Sequence, residues 1–101
     1  MKTIYRIILA VDYKGQRERE QYYTEKREEA EIRYIEAQIE VKRFGEEKGL
    51  KVHDIVHNDN YMTIFADGNQ KGKPYTGARA EFSRKEFMED NFLDLGNEPL
   101  F

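Results

Sequence analysis

Few side chains in this sequence can do covalent chemistry. Ser83 is the only serine, His53 and His57 are the only histidines, and there is no cysteine. A Ser-His-Asp arrangement would have to be built on Ser83, which together with Glu86 forms a helix capping box and so already has a structural task. His53 and His57 have the His-x-x-x-His spacing that binds metal on a helix, where i and i+4 share a face. Their neighbours Val52, Ile55 and Val56 favour a strand, in which four residues span roughly 13 Å, too far for one ion. Surface histidines beside a hairpin turn are the plainer reading, and no metal site or cofactor is expected. Eight of the 20 carboxylates, Glu25 to Glu47, are interleaved with Lys and Arg along one helical stretch. That is the pattern of a solvated face, and no pair is marked for acid–base work. This inventory predicts a protein that is not an enzyme.

Two segments have character of another kind. Asp67-Gly68-Asn69 begins like a calcium loop, but the third ligand position falls on Lys71 and the twelfth on Ala78. Gly68 to Lys73 has one residue too few between its glycines for a phosphate loop, and Pro74 follows the lysine. What remains is local charge. Between Asp67 and Arg79 one acid faces Lys71, Lys73 and Arg79, with Tyr75 among them. Basic groups, a stacking ring and close-approaching glycine backbone suit a phosphate-bearing ligand. An ordinary loop that is basic by chance is the alternative. After Lys85 the chain carries Glu86, Glu89, Asp90, Asp94 and Glu98 with no basic residue, interspersed with Phe87, Phe92, Leu93, Leu95, Leu100 and Phe101. An acidic segment with bulky apolar anchors suits docking on a basic protein groove; the same apolar residues could also simply pack on the fold.

The elements that must position these residues follow from pattern. Thr3 to Tyr13 alternates as a strand that is apolar on one face and partly so on the other, which suits an interior position. Asp12 to Gly15 supplies a turn, and Gln16 to Tyr23, charged on both faces, reads as a returning edge strand. Thr24 is the expected N-cap of a helix from Glu25 to Lys48, and Gly49 its stop. Ala30, Tyr34, Ala37, Val41 and Phe44 form one stripe facing the sheet, while Ile32, Ile35 and Ile39 lie nearly opposite and call for a second partner. Lys51 to His57 and Tyr61 to Ala66 form a hairpin across Asn58-Asp59-Asn60. A short strand from Ala78 to Phe82 and a helix from Arg84 to about Leu93 complete the order β-β-α-β-β-(β)-α, with Phe82 and Phe87 as the helix's hydrophobic staple. The expected fold is α+β: an antiparallel sheet of four to five strands, one long helix packed on it and a short C-terminal helix. Residues 1–96 make a single domain and 97–101 a short tail.

Composition bounds the function. A 101-residue chain with 39% hydrophobic and 13% aromatic residues can bury one core. The longest apolar run, Ile7 to Val11, is far short of the ~20 residues that a spanning helix needs. No positive-then-apolar leader opens the chain and no cysteine is present, so the cytoplasm is the expected location. The net charge of −3 argues against direct nucleic-acid binding over the whole surface. No residue set matches a family that can be named. The general style, short, Cys-free and rich in Lys, Glu and Tyr, is similar to small accessory proteins of bacteriophages and mobile elements. The leading expectation is a stoichiometric inhibitor or modulator of a protein partner, an anti-CRISPR or other anti-defence protein being one instance. Its contact residues would be Glu89, Asp90, Phe92, Asp94, Ile32, Ile35 and Ile39. The alternative is a nucleotide-phosphate binder using Lys71, Lys73, Tyr75 and Arg79. A homodimer paired through the isoleucine stripe would be compatible with either.

Overall fold

A computed structural model describes residues 2–67 and 77–87. Their order is β1 (Lys2–Tyr13), β2 (Gln16–Thr24), α1 (Arg27–Lys48), β3 (Lys51–Asn58), β4 (Tyr61–Asp67) and β5 (Gly77–Phe87). The five strands form one antiparallel sheet in the order β2-β1-β5-β4-β3, with α1 on one face. The fold is therefore α+β with an antiparallel sheet and one long helix, as the alternation and the helical stripe require.

Local chemistry accounts for most boundaries. Lys14 and Gly15 both have positive φ, at 47° and 89°, and make the two-residue turn that brings Tyr13 opposite Gln16. At the second hairpin the Asn58 carboxamide oxygen accepts from the Asn60 N–H at 2.7 Å, the side-chain mimic of a turn that Asn provides. At the helix C-terminus Gly49 is left-handed, the Leu50 N–H reaches the Gly45 carbonyl at 2.8 Å, and Leu50 packs against the core. This is the glycine stop expected there. The start of the helix differs from expectation. Thr24 is held in β2 opposite Tyr5, so the N-cap is Lys26, with no side-chain cap. The Thr24 hydroxyl instead accepts from the Lys26 N–H at 3.0 Å and donates to Glu29 at 3.1 Å.

The larger correction concerns β5. It runs eleven residues, through Phe87, and pairs with β1 on one side and β4 on the other. Ser83 lies between Arg6 and Tyr61 in the sheet and is not a helix cap, and Phe82 is fully buried in the core and is not a staple. The capping-box pattern was real but local. A full-length partner in β1 offers ladder pairing from Lys2 to Asp12, and those contacts override it. The remainder of the expected second helix, and the tail 97–101, lie outside the described residues.

The core lies between α1 and the sheet. Ala30, Tyr34, Ala37, Val41 and Gly45 are the buried helix positions, and Phe44 packs at the margin. They meet Tyr5 and Ile7 of β1, Ala78, Ala80 and Phe82 of β5, and Ile64 and Ala66 of β4. The alanines keep the centre of the sheet thin enough for the Tyr34 and Tyr5 rings to reach Phe82, at centroid distances of 5.8 and 5.9 Å. Gly45 allows the last turns of the helix to sit against β3 and β4. A Cβ there would lie 2.8 Å from Val52 Cγ2 and 3.1 Å from the Ala66 Cβ.

Candidate functional site

The outer face of α1 is the first candidate. Ile32, Ile35 and Ile39 follow i, i+3, i+7 spacing and are 59%, 54% and 49% exposed. They lie nearly opposite the buried stripe, since α1 needs only one face for the sheet. Glu28 and Glu46 stand closest to them in the helical rotation, followed by Arg43 and Lys42 and then by Glu36 and Glu31. The result is a narrow apolar ridge in a predominantly acidic setting. On the flank of α1 towards β2, Arg33 covers the Tyr22 ring at 4.4 Å, and the Tyr22 hydroxyl donates to Glu29 at 3.2 Å.

The helix-free face of the sheet is the second. Strand register places Arg19, Ala10, Arg79, Phe65 and His53 in one row across all five strands. The adjacent row is Gln21, Ile8, Glu81, Thr63 and Ile55, and the next contains Tyr23, Arg6, Ser83 and Tyr61. The half over β2 and β1 is rich in arginine. A groove of about 690 Å³ there is lined by Arg6, Ala10, Arg17, Arg19, Arg79 and Glu81. The half over β4 and β3 is aromatic, with a groove of about 290 Å³ between Ile55, His57, Tyr61, Thr63 and Phe65. His53 stacks on Phe65 at 4.8 Å and the His57 ring lies tilted against Tyr61 at 4.5 Å, so each histidine has an aromatic neighbour of its own.

At the middle of this face Arg6 Nη2 donates to Glu81 Oε1 at 3.4 Å, with both side chains nearly withdrawn from solvent. Burial pulls the Arg6 guanidinium below its usual value, and the Glu81 charge opposes that shift. On the opposite face burial pushes the Tyr34 hydroxyl up to about 12, with Asp54 and Glu81 adding to the effect. Neither group is placed for proton transfer. Ser83 is buried in the central strand, and among the described residues no three His, Cys, Asp or Glu side chains converge where they could hold a metal. Among the described residues no helix is long and apolar enough to cross a membrane.

The residues expected from sequence are thus divided. Ile32, Ile35 and Ile39 share one exposed ridge, and Arg79 lies on the other side of the sheet, next to Ala10 and Phe65. Lys71, Lys73, Tyr75, Glu89, Asp90, Phe92 and Asp94 lie outside the described residues. Sequence reasoning overlooked the association of Arg79 with Arg6, Arg17 and Arg19. Its local signal was the alternation Arg17-Glu18-Arg19-Glu20, which puts the arginines on one face of β2 and the glutamates on the other. No protein-family model, curated protein or solved structure matches this chain.

Proposed function

We propose that the protein is a non-enzymatic binding module that inhibits or modulates a protein partner by docking the outer face of α1 into it. The observation that carries this reading is the Ile32, Ile35, Ile39 ridge, three β-branched side chains about half exposed on a helix whose other face is fully used. A ridge at this spacing fits an apolar groove in helix-in-groove recognition, and the glutamates around it favour a groove with a basic rim. An inhibitor that acts by occupying its target, as an anti-CRISPR or other anti-defence protein does, is one instance of such a module.

The test is capture of a partner by the wild-type chain and by an Ile32→Ser/Ile35→Ser/Ile39→Ser variant, with sedimentation of both. A discrete partner retained by the wild type and lost with the variant supports the reading. Equal capture by the two chains, or a wild-type dimer that the variant abolishes with no partner bound, refutes it.

The arginines gathered around Arg79 favour a second reading, a phosphate-bearing ligand bound on the helix-free face. Thermal stabilisation by millimolar nucleotides, lost in Arg79→Ala, would select it.

A further inference from the structure

We propose that the outer edge of β3 pairs antiparallel with the same edge of a second copy of this chain, joining two five-stranded sheets across a two-fold axis at Ile55. The proposal does not rest on the isoleucine ridge of α1, which is a different surface.

The two edges of the sheet are unlike. β2 and β3 are its outermost strands. β2 opens Gln-Arg-Glu-Arg-Glu-Gln, with all six side chains exposed. Charges of that kind discourage pairing with another chain. In β3 seven of the eight residues are exposed, yet only Lys51 and Asp54 are charged. Val52, Ile55 and Val56 are 37%, 41% and 65% exposed. Val52 and Val56 lie on the helix side, opposite Ala66 and Met62, and Ile55 on the other, opposite Thr63. Apolar, β-branched side chains are therefore open on both faces of one edge. β4 takes the hydrogen-bonding groups along one side of β3, and among the described residues no strand takes those along the other. Such an edge is a template for strand addition. The bulge near His57 sits at its far end, and Lys51 to Val56 keep an unbroken register with β4.

A second copy is the occupant that these residues fit. Pairing about a two-fold axis uses the same edge twice and closes, leaving only the charged β2 strands at the ends of the joined sheet. Placing β3 on β2 would instead propagate into a filament, which the β2 charges oppose. With the axis normal to the sheet both helices stay on one face, so only residues of like side can oppose each other. Centred on Ile55, the register sets Ile55 against its own counterpart and His53 against His57 of the second copy. It sets Asp54 against Val56 and brings Lys51 beside the turn residue Asp59, each twice over. A centre at Asp54 would oppose two carboxylates, and one at Val56 would place the bulge inside a short ladder.

Sedimentation of the full chain at high micromolar concentration tests the pairing. The expected result is a dimer for the wild type and a monomer for Ile55→Lys, which sets two ammonium groups face to face. Because Ile55 is exposed, that variant should unfold near the wild-type midpoint. The absence of cysteine allows the register to be read directly. Ile55→Cys should form an interchain disulfide under mild oxidation, since directly opposed residues lie about 4.5 to 5.5 Å apart. Val56→Cys, although more exposed, should cross-link far less, its counterpart being a diagonal neighbour at about 7 to 8 Å. A monomeric wild type would overturn the proposal, as would a dimer that persists in Ile55→Lys. Loss of the dimer in Ile32→Ser/Ile35→Ser/Ile39→Ser would assign the contact to the ridge, and equal cross-linking of the two cysteine variants would refute the register. A monomer leaves capture of a partner by the ridge untouched, so the two readings fail separately.

Discussion

Gly45→Ala is the sharpest perturbation of how α1 is seated. In an isolated helix the substitution gains about 1 kcal/mol, because glycine carries the larger backbone entropy. Here the new methyl would stand 2.8 Å from Val52 Cγ2 and 3.1 Å from the Ala66 Cβ. Neither neighbour yields easily. Ala66 has no side-chain torsion to rotate and is paired between Val52 and Ala78, and Val52 is β-branched and stiff about χ1. Forcing a methyl into such a contact costs about 1 to 3 kcal/mol. Clash therefore outweighs propensity, with a net loss of about 1 kcal/mol and a fall in Tm of about 4 to 8 °C for a domain of this size. Thermal and urea unfolding of Gly45→Ala, Val52→Ala and the double variant read the effect. Val52 is 37% exposed, so truncating it alone costs modestly. In that background the 2.8 Å contact is gone and Gly45→Ala becomes neutral or stabilising, a favourable coupling of about 1 kcal/mol or more. A single Gly45→Ala that raises Tm, or two substitutions that simply add, would refute the account of close helix–sheet approach.

Other consequences concern buried polar groups and the ridge. The Tyr34 hydroxyl is buried with no hydrogen-bond partner among the described residues, so Tyr34→Phe should gain about 1 kcal/mol at neutral pH in urea unfolding. Its acidity in the fold is shifted from 10 up to about 12. The unfolded chain therefore loses this proton first, and the stability present below pH 10 is lost as pH rises towards 12. Wild type should weaken relative to Tyr34→Phe by a further 2 to 3 kcal/mol, roughly, across that window, and a pH-independent difference would contradict the burial argument. Glu81→Ala removes the charged hydrogen-bond acceptor that opposes the burial of the Arg6 guanidinium and should cost about 1.5 to 3 kcal/mol, part of it recovered when Arg6→Met is added. If Glu81→Ala unfolds at the wild-type denaturant midpoint, the pair is not buried as described. Replacing Ile32, Ile35 and Ile39 together with serine should change stability by no more than about 1.5 kcal/mol, since each side chain is exposed. A much larger loss would show that the ridge is covered within the protein.

What the sequence by itself determined lies in features encoded within a few residues. Lys14-Gly15, Asn58 to Asn60 and Gly49 set two hairpin turns and a helix end through backbone conformations that few residue types adopt. The alternation of β1 marks it as interior, and the two stripes of α1, read at 3.6-residue spacing, separate its buried face from the ridge of isoleucines. What tertiary structure decided depends on pairing between distant segments. Ser83 and Glu86 carry a sound helix-start pattern, but β1 supplies a ladder partner as far as Phe87, and long-range hydrogen bonds outweigh a local cap. Thr24 is drawn into β2 for the same reason, which moves the helix start to Arg27. The arginine-rich face could not be read in advance because Arg6, Arg19 and Arg79 come from three strands. Alternation shows which residues of one strand share a side. Only the register of β1 with both β2 and β5 brings those three sides together.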